Sequence, residues 1–152
     1  MRHQERPVLE IAAGPSIDGR FEKVGELIRH IFSGEKRYVD RLSDRPITDT
    51  STISATDLAA LHAFGQRSRR ELRDYIDGLS AGNAETPLEF KMMNSTLTAT
   101  PRKIVTHILM HEIRHWAQIS TLLRLNGLKV GFHDFLFRPV MGGERRRESQ
   151  SA

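Results

Sequence analysis

The sequence contains no cysteine, and this absence excludes several kinds of chemistry. Disulfide bonds, a cysteine nucleophile, thiolate metal sites and iron–sulfur clusters all require a thiol side chain. Any metal ion that the chain binds must therefore be held by His, Asp or Glu.

Long apolar runs are also missing. No stretch approaches the ~20 apolar residues that a membrane-spanning helix needs, and the first ten residues, MRHQERPVLE, lack the apolar segment of a secretory signal. We therefore expect no membrane partner and a cytoplasmic location. A length of 152 residues favours a single domain.

Positive charge exceeds negative charge only slightly, with 23 Lys and Arg against 19 Asp and Glu and a net charge of +4. The surplus lies in one internal segment and in the tail at residues 145–147. Neither group is interleaved with aromatic residues that would stack on bases. We interpret both as solvated surfaces and expect no nucleic-acid partner. The internal group comprises Arg67, Arg69, Arg70 and Arg73.

What the chain does contain is helical periodicity, and its strongest segment is residues 100–126. Thr100 is a good N-cap, Pro101 suits the first helical position, and Gly127 stands where helices usually stop. These signals predict a helix of about seven turns.

A second helix is predicted from Gly19 or Arg20 to about Leu42, with apolar residues at helical spacing and Pro46 beyond its end. The short connection that follows predicts that the next helix packs antiparallel to it, in an up-and-down arrangement with one longer crossover before the last helix.

The third helix is predicted from Ser54, with Asp57 three residues on as in a capping box, to about Leu79 before a Gly82-Asn83 turn. The small residues Gly65 and Ser68 interrupt its apolar stripe, and we expect them to allow close helix packing rather than a cavity.

The remaining segments contain little regular structure. Residues 84–99 are predicted to be a loop with a short extended piece at 88–92, and residues 6–13 could form two turns of helix that Gly14-Pro15 would end. We find no βαβ unit and no strand that could bind an extended substrate. The fold class predicted from these patterns is all-α, a helical bundle without a visible fourth full-length helix.

Candidate metal ligands occur in the last helix, where His107, His111 and His115 recur every four residues. At ~100° per residue they occupy ~80° of arc and share one face with apolar residues that should point inward. Two imidazoles at positions i and i+4 can converge on one ion, so we expect His111 and His115 to bind a metal.

His111-Glu112-Ile113-Arg114-His115 also satisfies H-E-x-x-H, the signature of zinc metalloproteases, in which the Glu is the general base. The extended metzincin form fails, because Gln118 replaces its Gly and Thr121 replaces its last His. We keep a metalloprotease as an alternative. His30, on the inner edge of the predicted second helix, is a better candidate for a third ligand, and three neutral imidazoles leave open positions for water or substrate.

Two stretches, GELIRHIFSGEKRYVDRL and THILMHEIRHWAQISTLLRLNG, resemble the DinB/YfiT-like family of metalloenzymes. The family has a His in its second helix and an H-x-x-x-H pair followed by a Gln in its last. The similarity runs from about residue 19 to residue 136. It implies an up-down-down-up four-helix bundle with His30, His111 and His115 as the metal triad, often in a dimer.

The resemblance also implies an activity. Family members with assigned functions are thiol-dependent S-transferases, including bacillithiol transferases, and mycothiol-dependent maleylpyruvate isomerases. We therefore expect a small-molecule substrate, a low-molecular-weight thiol cosubstrate, a divalent metal ion, zinc or nickel, and a homodimer. The metal would lower the pKa of a bound thiol. A non-catalytic helical binding module is the other alternative.

The chain departs from the family at its start, where the first helix is shortened to PVLEIAAG. We accordingly divide the chain into a shortened N-terminal segment, residues 1–18, a helical bundle domain, residues 19–140, and a flexible basic tail, residues 141–152.

Three further residues are weak catalytic candidates. His107 lies one turn before the H-x-x-x-H pair and could support the site, carry a proton or pack in the core. Gln118 could hydrogen-bond a bound water, although simple packing is the expectation. Asp134, beside His133, follows the last helix where a loop could return over the site.

Overall fold

The computed structural model describes residues 8–13 and 20–131. Within these ranges the chain is mostly helical, with three long helices, one single-turn helix and a two-stranded sheet, and no helix long and apolar enough to cross a membrane. The four-helix, up-down-down-up arrangement stays a prediction, as do the domain boundaries at residues 18 and 140. In chain order the elements are a 3₁₀ turn Val8–Glu10, α1 Val24–Leu42, α2 Leu58–Asp77, α3 Ala81–Ala84, β1 Leu88–Met92, β2 Ser95–Ala99 and α4 Pro101–Leu125.

Helix α4 has the boundaries that its sequence predicts. The Thr100 hydroxyl accepts a hydrogen bond from the backbone N–H of Lys103 at 3.2 Å, and Pro101 is the first helical residue. Gly127 follows the helix with a φ of 78°, a conformation in which glycine avoids a steric penalty.

Helix α1 ends at Leu42 as predicted but begins at Val24, later than the predicted Gly19 or Arg20. The described part of the N-terminal segment, residues 8–13, causes this later start of α1. Beyond its single 3₁₀ turn this segment is extended, and it pairs with the residues that precede α1: the N–H of Val24 donates to Ile11 O at 2.9 Å, beside a bridge between Ala12 and Lys23. Two turns of helix in residues 6–13 were therefore the wrong expectation for the described part.

Helix α2 is also shorter than predicted, because its cap is Asp57 and not Ser54. The Asp57 carboxylate accepts a hydrogen bond from Ala60 N at 3.0 Å, whereas the Ser54 hydroxyl accepts one from Thr56 N in the preceding loop. The helix ends at Asp77, and the predicted Gly82-Asn83 turn lies inside α3.

Residues 88–99 form a β-hairpin. The extended piece at residues 88–92 is confirmed as β1, but the loop expected at residues 95–99 is a second strand, β2, and the two pair antiparallel with Phe90 opposite Leu97. Met93, with a φ of 54°, turns the chain between them. The loop predicted for residues 95–99 was therefore wrong.

Helices α1 and α2 run parallel, contrary to the antiparallel packing predicted from the sequence. Gly65 lies against Phe32, and further along both helices Lys36 donates to Glu71 at 2.6 Å. The connection, residues 43–57, explains the difference: at ~3.3 Å per residue it can reach about 50 Å, whereas a 19-residue helix is only about 28 Å long. The chain can therefore return to the start of α1 before α2 begins.

Helix α4 runs antiparallel to α1. The Tyr38 ring of α1 contacts His107 of α4. His30 lies eight residues before Tyr38, and its ring contacts His115, which lies eight residues after His107. This direction brings the two histidine-bearing segments together.

Close packing of α1 and α2 depends on the small residues in α2, as predicted. A Cβ atom on Gly65 would lie 2.5 Å from Cζ of Phe32, so the ring occupies the space that a side chain would need. Ser68 is fully buried in the same interface.

Among the residues that the structure describes, the core has two apolar clusters, one at each end of the helices, and charged side chains lie between them. The N-terminal segment contributes Leu9 and Ile11 to the first cluster. The first cluster contains Leu9, Ile11, Val24, Leu27, Ile28, Ile31, Leu61 and Ile119, and the second contains Val39, Leu42, Leu72, Ile104 and Ile108.

A buried carboxylate holds the α1–α2 crossover, residues 43–57, against α1. Asp40 accepts hydrogen bonds from the backbone and hydroxyl of Thr48 at 2.9 and 2.7 Å and from Lys36 at 2.8 Å. Burial alone would raise the pKa of Asp40, but these hydrogen bonds outweigh burial and hold the pKa below its usual value. The ionised carboxylate therefore stabilises the start of the crossover.

Candidate metal centre

Three histidines from two helices converge at the interface of α1 and α4. Helix α4 presents His111 and His115 one turn apart, and α1 presents His30 opposite them. Gly34, one turn after His30, allows this approach, because a Cβ atom there would lie only 3.2 Å from Cε1 of His111. The sequence prediction that these three residues lie together is confirmed by their geometry.

The distances between the imidazole nitrogens suit a single metal ion. Nε2 of His30 lies 3.0 Å from Nε2 of His111, and one nitrogen from each of the three rings falls within 4.8 Å of the other two. Ligand nitrogens around a tetrahedral ion with bonds of ~2.05 Å are about 3.3 Å apart, so small ring rotations would bring all three onto one ion. The donor set, three imidazoles and no thiolate, fits zinc, nickel and other divalent transition metals.

The site keeps His111 in the form that binds metals. Burial, followed by the neighbouring His30 and His115 rings, lowers the pKa of His111 to about 3. The imidazole is therefore neutral at pH 7, and its lone pair is available to a cation.

Gln118 orients one of the three rings. Its Oε1 lies 3.2 Å from Nδ1 of His115, one turn earlier on α4. With Oε1 as the acceptor, Nδ1 donates this hydrogen bond and Nε2 keeps its lone pair, and the guanidinium of Arg114 lies 3.4 Å from that Nε2. The expectation that Gln118 merely packs is therefore wrong, since its amide contacts a residue of the triad.

His107 lies outside the triad. Its exposed ring is 6.1 Å from the His111 ring centre and packs edge-on against Tyr38, 5.2 Å away. Asp134, the remaining weak catalytic candidate, lies outside the described residues together with His133.

The glutamate of the H-E-x-x-H motif is bonded to other residues. Glu112 is buried and pairs with Arg69 of α2, which also donates to Glu35 of α1 at 2.8 Å. Burial and the nearby Glu35 carboxyl raise the pKa of Glu112 to about 8, although Arg69 opposes the shift. A carboxyl group that holds its proton at pH 7 and contacts an arginine is poorly suited to act as a general base, so the geometry does not favour a metalloprotease.

The sequence analysis missed Phe21. This residue precedes α1, and its ring lies 4.6 Å from the His30 ring centre and 6.5 Å from that of His115. Phe21 therefore covers one side of the triad. No helical periodicity includes it, because residues 20–23 are held outside α1 by the N-terminal segment.

Comparison with known proteins supports the family resemblance that the histidine motifs indicate. A family model described as DinB superfamily matches residues 6–119, a range that includes His30, His111 and His115. Neither the curated proteins nor the solved structures contain a match to this chain. The family match extends over well more than half of the 152 residues. The chain therefore belongs to the DinB superfamily.

Proposed function

We propose that the protein is a metal-dependent enzyme that transfers a low-molecular-weight thiol to a small-molecule substrate, or isomerises such a substrate with the thiol as cosubstrate. The observation that carries this proposal is the convergence of three imidazole nitrogens at the α1–α4 interface. His30, His111 and His115 would hold one divalent ion, zinc or nickel, and three protein ligands leave a coordination position open.

A bound divalent ion supplies positive charge that lowers the pKa of a thiol, so that the thiolate nucleophile is present at neutral pH. In a transfer, the thiolate sulfur forms a bond to an electrophilic carbon while the leaving group departs with its bonding electrons. The thiol proton passes to solvent. Around this reaction Gln118 holds the His115 ring in position, and Phe21 shields one side of the triad from water.

The decisive experiment is elemental analysis of the untagged protein after dialysis at pH 7. We expect about one divalent ion per chain in the wild type and none in His111→Ala. His62→Ala is the matched control, because His62 is an exposed histidine of α2 and should leave the metal content unchanged. A wild-type protein that stays metal-free after incubation with zinc and nickel would refute the proposal.

Turnover distinguishes the enzyme from a non-catalytic helical module with a structural ion. Wild-type protein loaded with zinc or nickel is mixed with low-molecular-weight thiols and a chromogenic aryl halide, and thiol consumption is measured. We expect consumption by the wild type and none by His111→Ala. A metal that raises the unfolding temperature without any thiol consumption would favour the binding module.

We also propose that the protein forms a homodimer through α4. Leu109, Ile113 and Trp116 follow one another at helical spacing and are 46%, 69% and 36% exposed. A patch of large apolar side chains on one helix is typical of a surface that another subunit covers. Light scattering after size exclusion should give a dimer mass for the wild type and a monomer mass for Ile113→Asp. A wild-type monomer at micromolar concentration would contradict this assignment.

A further inference from the structure

Three ionisable side chains meet between α1, α2 and α4, next to the histidine triad. Glu35 of α1 and Glu112 of α4 are 1% and 5% exposed, and Arg69 of α2 donates hydrogen bonds to Oε2 of both carboxyl groups. The bond from Nε of Arg69 to Glu35 is 2.8 Å long. Glu112 belongs to the H-E-x-x-H motif, and the reaction proposed above gives it no task.

These three residues are attached to the helices at the level of His111. Glu112 directly follows His111 in the chain, and Glu35 directly follows Gly34, which lies against the His111 ring. Arg69 therefore joins α1 to α4 at the point where one ring of the triad meets the facing helix.

An anchored Glu112 also fixes the rotation of α4 about its own axis. Neighbouring residues on a helix are ~100° apart, so a side chain held at position 112 sets the direction in which His111 points. The rim of a helix lies about 5–6 Å from its axis, and there a rotation of ~10° moves an imidazole by about 1 Å. Metal–ligand distances vary by only about 0.2 Å. A small rotation of α4 would therefore take His111 away from an ion shared with His30.

We propose that Glu112 is a positioning residue of the metal centre, which through its bond to Arg69 sets the rotation of α4 and so the place of His111 opposite His30. Glu35 completes the arrangement, because it ties the same guanidinium to α1. The inference rests on the proposed function, since it gives the glutamate of the motif a task at the metal site. It differs from the metalloprotease alternative, in which Glu112 takes a proton from water.

Zinc affinity, measured by chelator competition on the full chain, tests this role with two substitutions. Glu112→Leu keeps a similar volume but accepts no hydrogen bond, and it should weaken zinc binding by about 10- to 100-fold. Glu112→Gln keeps a carbonyl oxygen for Arg69, so its zinc affinity should stay within about threefold of the wild type. The matched control is Glu89→Leu, which replaces an exposed glutamate of β1 and should leave zinc affinity unchanged.

Two further measurements separate positioning from a general loss of stability. Co²⁺ bound by imidazoles absorbs visible light in bands that depend on the coordination geometry. The cobalt spectrum of Glu112→Leu should differ from that of the wild type, and Glu112→Gln should reproduce the wild-type spectrum. The urea midpoint of metal-free Glu112→Leu should be unchanged or higher, because leucine replaces a buried carboxyl group. A lower midpoint with wild-type zinc affinity and a wild-type cobalt spectrum would overturn the proposal.

Arg69→Lys covers the case in which Glu112→Leu does not fold. Lysine keeps the positive charge beside Glu35, but it presents one flexible nitrogen in place of the rigid fork of a guanidinium. Zinc affinity should therefore fall several-fold. Arg73→Lys, at an exposed position one turn further along α2, should leave zinc affinity unchanged.

The two proposals fail in different ways. A wild-type protein that binds zinc with an affinity that neither Glu112→Leu nor Arg69→Lys changes would support the metal centre and refute the positioning role. A Glu112→Gln protein that binds zinc normally but consumes no thiol would make Glu112 a catalytic base, which would also refute it.

A wild-type protein that binds no metal would refute the proposed function, and the positioning role is then decided by the imidazole NMR signals of His111 in the metal-free protein. Signals that shift in Glu112→Leu but not in Glu112→Gln would support the positioning role. Signals that are the same in all three proteins would refute it.

Discussion

Replacing Gly25 by alanine tests the close approach of Ala55, in the crossover, to the first turn of α1. Gly25 lies in the first turn of α1, and a Cβ atom there would sit 1.9 Å from Ala55 O, 3.1 Å from Ala55 C and 3.3 Å from Leu9 Cβ. Since Cβ atoms essentially never approach other heavy atoms closer than 3.0 Å, the gap to Ala55 O must widen from 1.9 Å to at least that distance. The obstacle is a backbone carbonyl, so no side-chain rotation can relieve it.

The expected cost follows from two opposing effects. Overpacking of a well-packed interface costs about 1–3 kcal/mol. Because the obstacle is backbone at 1.9 Å, the cost lies in the upper part of that range, about 2–3 kcal/mol. Alanine gains about 1 kcal/mol over glycine in a helix, so the net destabilisation of Gly25→Ala is about 1–2 kcal/mol. For a chain of this length that corresponds to a melting temperature lower by about 2–8 °C.

Urea unfolding of the metal-free protein measures this loss, followed by the fluorescence of Trp116, the only tryptophan in the chain. Gly82→Ala in α3 is the matched control, because no atom lies within 4 Å of the added Cβ, and its unfolding midpoint should be unchanged or slightly higher. A Gly25→Ala protein as stable as the wild type would refute the close approach of the crossover to α1.

Three other substitutions test separate parts of the structure. Gly65→Ala should destabilise the protein by about 1–2 kcal/mol, and the loss should shrink when Phe32→Leu is added, as a double-mutant cycle of urea unfolding will measure. Asp40→Asn should lower the free energy of unfolding at pH 7 by roughly 1–3 kcal/mol. Folding lowers the pKa of Asp40 below its usual value of 3.8. The ionised carboxylate therefore stabilises the folded state above that pH, and this stabilisation is lost as the pH falls through the lower pKa of the folded state. When the pH is lowered from 5 by about 2–3 units, the free energy of unfolding of the wild type should therefore fall more than that of Asp40→Asn. Equal losses would contradict this. Gln118→Leu should weaken zinc affinity by about 10- to 100-fold in a chelator competition while the stability of the metal-free protein stays the same, because the amide acts through the His115 ring.

The histidine site could be predicted from the sequence because most of the pattern that indicates it lies within one helix. Two histidines four residues apart on a helix share a face whatever the rest of the chain does, and Thr100 and Pro101 fix where that helix begins. His30 was proposed from its place at the edge of the apolar stripe of α1, and the family resemblance implied the same residue, although nothing in the spacing of α1 specifies which helix it meets. The structure brings all three together.

The path of the chain between the helices could not be predicted from the sequence in the same way. The antiparallel prediction for α1 and α2 failed because it treated residues 43–57 as a short loop, whereas Asp40 and Thr48 fasten that segment along the helix as a crossover. The strand β2 was missed for a related reason: residues 95–99 are polar and mostly exposed, and only pairing with β1 makes them a strand.

The sequence by itself therefore determined the last helix, its histidine face and the predominance of helix, because caps and helical periodicity depend on residues within a few positions of one another. Tertiary structure decided the parallel direction of α1 and α2, the pairing of Glu112 with Arg69 and the position of Phe21 over His30. These features join residues far apart in the chain. Their geometry depends on how the helices pack and on where the N-terminal segment holds residues 20–23, which no local pattern specifies.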